Sequence, residues 1–247
     1  MVVMDENLIW LSIIVLLSYT TQAMSGFGST ILALTLGVHL YPVEVLLPVL
    51  VPLDMLITLY LVTRHYRYVS LPHLFRSILP AMGFGVLVGI IAFQYMEGNL
   101  LKKLFGLLVI LLSMRELYRL LRHRYAQITL SNLAAKTCIF SAGIVHGIYA
   151  SGGPLLIYAV SRLNLSKSVF RSTLAAVWFI FSVILSISYL MTGKLNAHSL
   201  RYILILLPMI LIGILLGEWL HHRIDEYRFK LFVFAVLFFA GLSICIS

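Results

Sequence analysis

The sequence predicts an all-helical integral membrane protein made of two homologous repeats. Each repeat is a glycine-tipped broken or re-entrant hairpin followed by three transmembrane helices, and the second is inverted relative to the first. Three observations carry this. Of 247 residues, 61% are apolar and 11% charged, with a mean hydropathy of +1.02; a soluble domain carries about a quarter charged residues, so this chain cannot cover its own surface in water. Apolar stretches run at roughly 8–40, 43–63, 73–96, 100–118, 133–162, 167–191, 200–220 and 229–246, most of them close to the roughly 20 residues that a crossing helix needs. Short motifs also recur in one order at nearly one offset.

The first stretch, 8–40, is the odd one. As a single helix it would extend about 50 Å at 1.5 Å per residue, too long for one crossing of a core about 30 Å thick and too short for two. Its centre runs from Thr20 through Gln22, Ser25, Gly26 and Gly28 to Ser29 and Thr30. Glycine frees the backbone from helix, so two half-helices meeting at a polar tip within the membrane are expected. The next three stretches have ordinary crossing lengths; the 43–63 stretch carries Asp54 near its middle, and 73–96 carries LPAMGFGVLVG. A basic patch from Arg115 to Arg124 and the polar run Gln127 to Asn132 then divide the chain into repeats at 1–126 and 127–247, which are expected to form one membrane domain together.

The second group mirrors the first. The 133–162 stretch is again overlong and is broken at His146 to Pro154, through Tyr149, Ser151, Gly152 and Gly153. Leu79-Pro80 with Gly85 and Gly89 returns 128 positions later as Leu207-Pro208 with Gly213 and Gly217; Lys103 to Phe105 returns 127 later as Lys230 to Phe232; Gly28 matches Gly152, 124 later.

Charge placement tests the hairpins. There are 18 Lys and Arg against 9 Asp and Glu, a formal +9. No RNA-binding or helix-turn-helix pattern surrounds the basic residues, so nucleic acid is not an expected partner; they read as topology signals and lipid-headgroup partners. If every stretch crosses once, they divide ten to eight between the two faces. If 8–40 and 133–162 enter and leave on one face, only Lys102, Lys103, Lys194 and Arg201 remain opposite the other fourteen. The positive-inside rule prefers the second arrangement, which inverts the halves, as in many transporters, and turns both termini outward. The start of the chain, with Asp5 and Glu6 and no Lys or Arg, lacks a signal peptide's basic region. Cys138 and Cys245 both lie in apolar runs and read as small buried hydrophobes; no metal site or other cofactor is expected.

Non-helical backbone at membrane depth must be buried in protein or line a water-filled cavity. Free N–H groups at half-helix starts bind anions, and Ser25, Ser29, Thr30 and Ser151 add hydroxyls where Gly26, Gly28, Gly152 and Gly153 allow close approach. A substrate site of these residues, with Gln22, His146, Tyr149 and Arg171 beside them, is expected for a small anion; small residues that merely let helices pack are the competing reading. Asp54 is a candidate proton carrier, because its charged form is expensive to bury, and a structural partner for a nearby hydroxyl is equally open. For His146 a hydrogen-bonded core role stands beside an anion-binding one. Arg171, with Arg162 and Lys167, either gathers anions or simply marks the positive face.

The stretches SGFGSTILAL and GIYASGGPLLIYAVSRLNLSKS, with the repeated LP-x4-G-x3-G element, resemble the sulfite exporter TauE/SafE family over essentially the whole chain. The resemblance implies a small, duplicated, multi-pass transporter of sulfite, sulfoacetate or related sulfur anions in the bacterial inner membrane. Its partners would be a small anion, protons and lipids, with a homodimer left open. Nothing matches the nucleotide-binding G-x4-G-K-[ST] pattern, so gradients are the expected drive. A negative interior favours anion export by about 2.3 kcal/mol per charge per 100 mV. An anion channel or an uptake permease for another oxyanion are alternatives, and an intramembrane hydrolase using Ser151 and His146 is a remote one.

Overall fold

The computed structural model describes residues 6–25, 28–121, 131–160, 163, 165–221, 223 and 226–246. All regular structure among them is helical. Helices α1 (Glu6–Ser25) and α2 (Ser29–Gly37) precede α3 (Val43–His65); a short α4 (Leu71–His73) passes through a π-helical Leu74–Ile78 into α5 (Leu79–Tyr95), and α6 (Gly98–Leu121) follows. The carboxy-terminal half comprises α7 (Asn132–Tyr149), α8 (Gly153–Val160), α9 (Lys167–Met191), α10 (Ala197–His221) and α11 (Glu226–Ile246). The expected boundary at residues 126 and 127 lies outside the described residues, as does Gly26.

Among the described residues, five stretches are long and apolar enough to cross a membrane: Glu6–Met24, Val43–Tyr68, Leu71–Tyr95, Ser168–Met191 and Ala197–Leu220. Two of them, around α5 and α10, leave Phe84, Leu87, Ile91, Leu211 and Leu215 exposed, a surface suited to lipid and not to water. The chain is a multi-pass membrane protein. Cys245 belongs to that outward surface and Cys138 is half-buried, so neither is the buried hydrophobe expected from its apolar run; one side of such a helix meets lipid.

Both overlong stretches fold back on themselves. In the first, the last residue of α2, Gly37, sits beside Leu11 of α1. In the second, the Cys138 thiol of α7 reaches the Leu155 carbonyl of α8 at 3.4 Å, and Gly152 lies against the Ala142 carbonyl. The arms are unequal, 20 residues against 9 and 18 against 8, where two half-helices are expected. The polar tract does not break α1, because the Thr20 and Thr21 hydroxyls donate to the Leu16 and Leu17 carbonyls one turn back. Gly28, which caps α2, lies at φ 97, where an added Cβ would meet no neighbour; the backbone dihedral alone calls for glycine. In the second hairpin Ala150 takes the left-handed conformation at φ 51, its N–H bonded to the His146 carbonyl.

Contacts between helices give their directions. Gly85 and Gly89 of α5 meet Gly143 and Gly147 of α7 in the same order, so these helices run parallel. Gly213 and Gly217 of α10 likewise meet Thr20 and Ala23 of α1. By contrast, α3 and α9 run antiparallel: Asp54 pairs with Ser182, while Ser70, just past α3, bonds Thr173. So do α6 and α11, with Gly106 beside Ile244 and Gly241 beside Ile110. It follows that the start of α1, the end of α11 and the α2–α3, α5–α6 and α9–α10 junctions share one end of the bundle. The ends of α3, α6, α8 and α10 and the starts of α4, α7, α9 and α11 share the other, and each hairpin begins and ends at the same end.

A Cβ at Gly85, Gly89, Gly143 or Gly147 would overlap the facing backbone, whereas one at Gly83 would meet only the Phe181 ring at 3.8 Å. Gly89→Leu should therefore destabilise the protein by at least about 1–3 kcal/mol, the usual effect of overpacking, while Gly83→Ala leaves it unchanged. Loss of the monodisperse peak on heating in detergent checks this; equal behaviour of the two variants would contradict the packing described.

Candidate functional site

The two hairpin tips border one cavity of about 60 Å³, room for about four water-sized bodies or a small ion. Thr21 and Gln22 from α1, Gly28, Ser29 and Thr30 from the first tip, and His146, Ser151 and Gly153 from the second line it, with Asp54 of α3 and Trp178 of α9. Apolar side chains of α6 and α11, including Leu112 and Phe234, close it. Asp54 is the twelfth residue of the 23-residue α3 and Trp178 the twelfth of the 25-residue α9, so the cavity lies about halfway along both antiparallel helices.

Asp54 is the best-satisfied group in it. Its Oδ1 accepts from Gln22 Nε2 at 3.0 Å and Ser29 Oγ at 3.1 Å, and its Oδ2 from Ser182 Oγ at 2.9 Å. Three helices from both halves thereby meet on one carboxyl. Pro48 and Pro52 withdraw two ladder N–H groups from α3 just before it, and the buried Tyr19 hydroxyl of α1 donates to the Leu50 carbonyl in this same stretch.

Other polar atoms around the cavity are unsatisfied. Gln22 Oε1, both His146 ring nitrogens and Trp178 Nε1 are buried without a partner. The His146 ring stacks on Trp178 with centroids 5.3 Å apart and planes at 27°, which orients the imidazole without satisfying it. Buried polar atoms are almost always hydrogen-bonded, and here four without a partner in the protein border one cavity. Among the described residues no Lys or Arg lines it, and no group of His, Cys, Asp and Glu could hold a metal.

Several expected site residues sit elsewhere. Arg171 reaches across from α9 and donates from Nη2 to the Ala23 carbonyl at 2.8 Å, where a cation suits the negative end of α1. Tyr149 donates its hydroxyl to the Leu101 carbonyl at 3.0 Å, and Gly152 packs against α7. The Ser25 side chain lies outside the described residues. Ser151 donates to the Tyr149 carbonyl at 2.8 Å rather than to His146, so no nucleophile–base pair is formed and the hydrolase alternative lacks its first requirement. Trp178 and Ser182 are not among the expected residues. Their signal, an indole and a hydroxyl inside the apolar 167–191 stretch, is weak until the fold turns both inward.

The family model for the sulfite exporter TauE/SafE matches residues 11–244. No curated protein and no solved structure matches the chain.

His146→Phe keeps a stacked ring and removes two unpartnered nitrogens beside open space, so thermal stability without ligand should hold within about 1 kcal/mol or rise. Asp54→Leu strands the donors of Gln22, Ser29 and Ser182, at about 1–3 kcal/mol for each left unsatisfied, and should lower it clearly. Tryptophan-fluorescence melting in detergent compares them; a His146→Phe loss as large as that of Asp54→Leu would contradict the assignment.

Proposed function

The chain belongs to the sulfite exporter TauE/SafE family, and on that premise we propose that it is a secondary transporter of a small oxyanion, sulfite or an organosulfonate such as sulfoacetate, working mainly in export from the bacterial inner membrane. The observation that carries the reading is the cavity bordered by the starts of α2 and α8, rimmed by unpartnered polar atoms and, among the described residues, free of fixed cations. A dehydrated anion there is held by neutral donors: the free N–H groups at the start of α2, the Thr30 hydroxyl, the Trp178 indole N–H and the His146 ring.

The halves act as inverted repeats around this cavity. That α3 runs antiparallel to α9, and α6 to α11, supports the inversion, since a two-fold axis along the membrane normal would leave equivalent helices parallel. The shared starting and ending face of each hairpin supports re-entry and the fourteen-to-four division of basic residues, with both termini outside. Alternating access follows if each tip closes one route to the cavity. Asp54 is the proton carrier. Like charges about 4 Å apart repel by about 4 kcal/mol at an effective dielectric of about 20, so an anion beside this carboxyl is favoured when the carboxyl is neutral.

Proteoliposomes should show saturable sulfite or sulfoacetate flux, reduced at least about tenfold in Trp178→Phe, which removes one donor and keeps an aromatic ring. Flux driven by a pH gradient should vanish in Asp54→Asn, while exchange without a gradient persists. Absence of flux for every sulfur anion would reject the substrate class. Tags on either terminus found accessible only from the cytoplasm would reject the inverted re-entrant arrangement.

A further inference from the structure

Gln22 lines the same cavity as Asp54, and the two ends of its amide are unequally satisfied. Its Nε2 donates to Asp54 Oδ1 at 3.0 Å, while its Oε1 is buried and unpartnered in a residue that lines the cavity. An ionised carboxylate only accepts, so it holds the amide with N–H toward Asp54 and C=O toward the cavity. In that orientation the cavity meets a carbonyl dipole that repels an anion.

A proton on Oδ1 reverses the demand. The carboxyl now needs an acceptor, and the N–H of Gln22 would face an O–H. Rotation of the amide by about 180° about its terminal torsion, a soft two-fold coordinate, brings Oε1 to receive the Asp54 proton. The same motion satisfies the orphaned oxygen and turns the two N–H donors into the cavity. We propose that Gln22 is the residue that couples proton to anion: its amide inverts with the protonation state of Asp54 and so switches the cavity from anion-repelling to anion-binding. The proposal rests on the preceding reading of Asp54 as the proton carrier.

The surroundings isolate this pair. From α2, α6 and α9 the groups presented there are hydroxyls, those of Ser29, Thr30, Ser113 and Ser182. Of the other titratable groups, Tyr19 of α1 is committed to the Leu50 carbonyl and His146 of α7 faces the cavity from across it. Arg171 of α9 is engaged by Ala23, and Glu218 of α10 meets Tyr60 near the end of α3.

Two measurements test the proposal on the reconstituted full-length protein. In pH-difference infrared spectra without any substrate, a titrating carboxyl band should be lost in Asp54→Asn. A side-chain amide carbonyl shift should accompany that band and be lost in both Asp54→Asn and Gln22→Leu. A carboxyl band that titrates with no amide shift overturns the inversion, because Ser29 or Ser182 then takes the proton. In binding measurements with sulfite as probe, protonation favours the anion, so affinity should rise up to tenfold per pH unit as pH falls through the titration. Gln22→Leu should flatten that slope although its carboxyl band still titrates, and Asp54→Asn should bind at all pH values. An undiminished slope in Gln22→Leu also overturns the proposal and assigns the dependence to His146 or to Asp54 acting directly. If the wild type binds no sulfite, the substrate reading is rejected instead, and the infrared spectra still decide whether the amide inverts.

Discussion

In hydrocarbon every backbone N–H and C=O must find a partner within the protein, and this chain interrupts its helices twice beside a cavity about halfway along α3 and α9. Each interruption leaves free donors at the start of a short helix, α2 or α8, and these are tolerable only if the surrounding helices wall them off from lipid. The rest of the bundle follows from that requirement. Helices α3 and α9 cross the middle, α6 and α11 cover the cavity with apolar side chains, and α5 and α10 flank the long arms of the hairpins. The shelter that protects the broken backbone is also the chamber that holds the unpartnered polar atoms.

Close packing of the hairpins depends on where side chains are missing. Gly85, Gly89, Gly143 and Gly147 let α5 and α7 approach until backbone meets backbone, a source of cohesion where lipid tails are as apolar as any side chain. The contact of α10 with α1 is built less symmetrically, with Gly217 against Ala23 and Gly213 against Thr20. In both contacts the partner belongs to the other half of the chain, so each hairpin's long arm is buried in part by the opposite half. The two halves are interleaved and not merely docked.

Asp54 draws the interleaving to a point. Its three donors come from α1, α2 and α9, so a change in its charge is felt by the first hairpin and by the opposite half together. His146 and Trp178 do the reverse, stacked in place by their rings and left polar toward the cavity. Satisfied carboxyl and unpartnered imidazole and indole thus border the same cavity.

Much of this was legible in the residues. Hydropathy alone specifies a membrane bundle, because so few charges cannot face water. Gln22, Ser29, Asp54, His146 and Ser151 are conspicuous as polar groups in apolar stretches, and the cavity gathers them. Other features needed the fold. Arg171 and Tyr149 look like site residues because they neighbour the second break, yet their side chains are taken by backbone carbonyls of α1 and α6, which sequence distance cannot reveal. Trp178 and Ser182 look like ordinary members of an apolar helix until α9 crosses α3. Residue chemistry along the chain says which groups are costly to bury. Which of them are satisfied, and which are left facing the cavity, is settled by the packing of the helices, because a hydrogen bond depends on partners from other helices and a polar side chain's surroundings are not written in its neighbours along the chain.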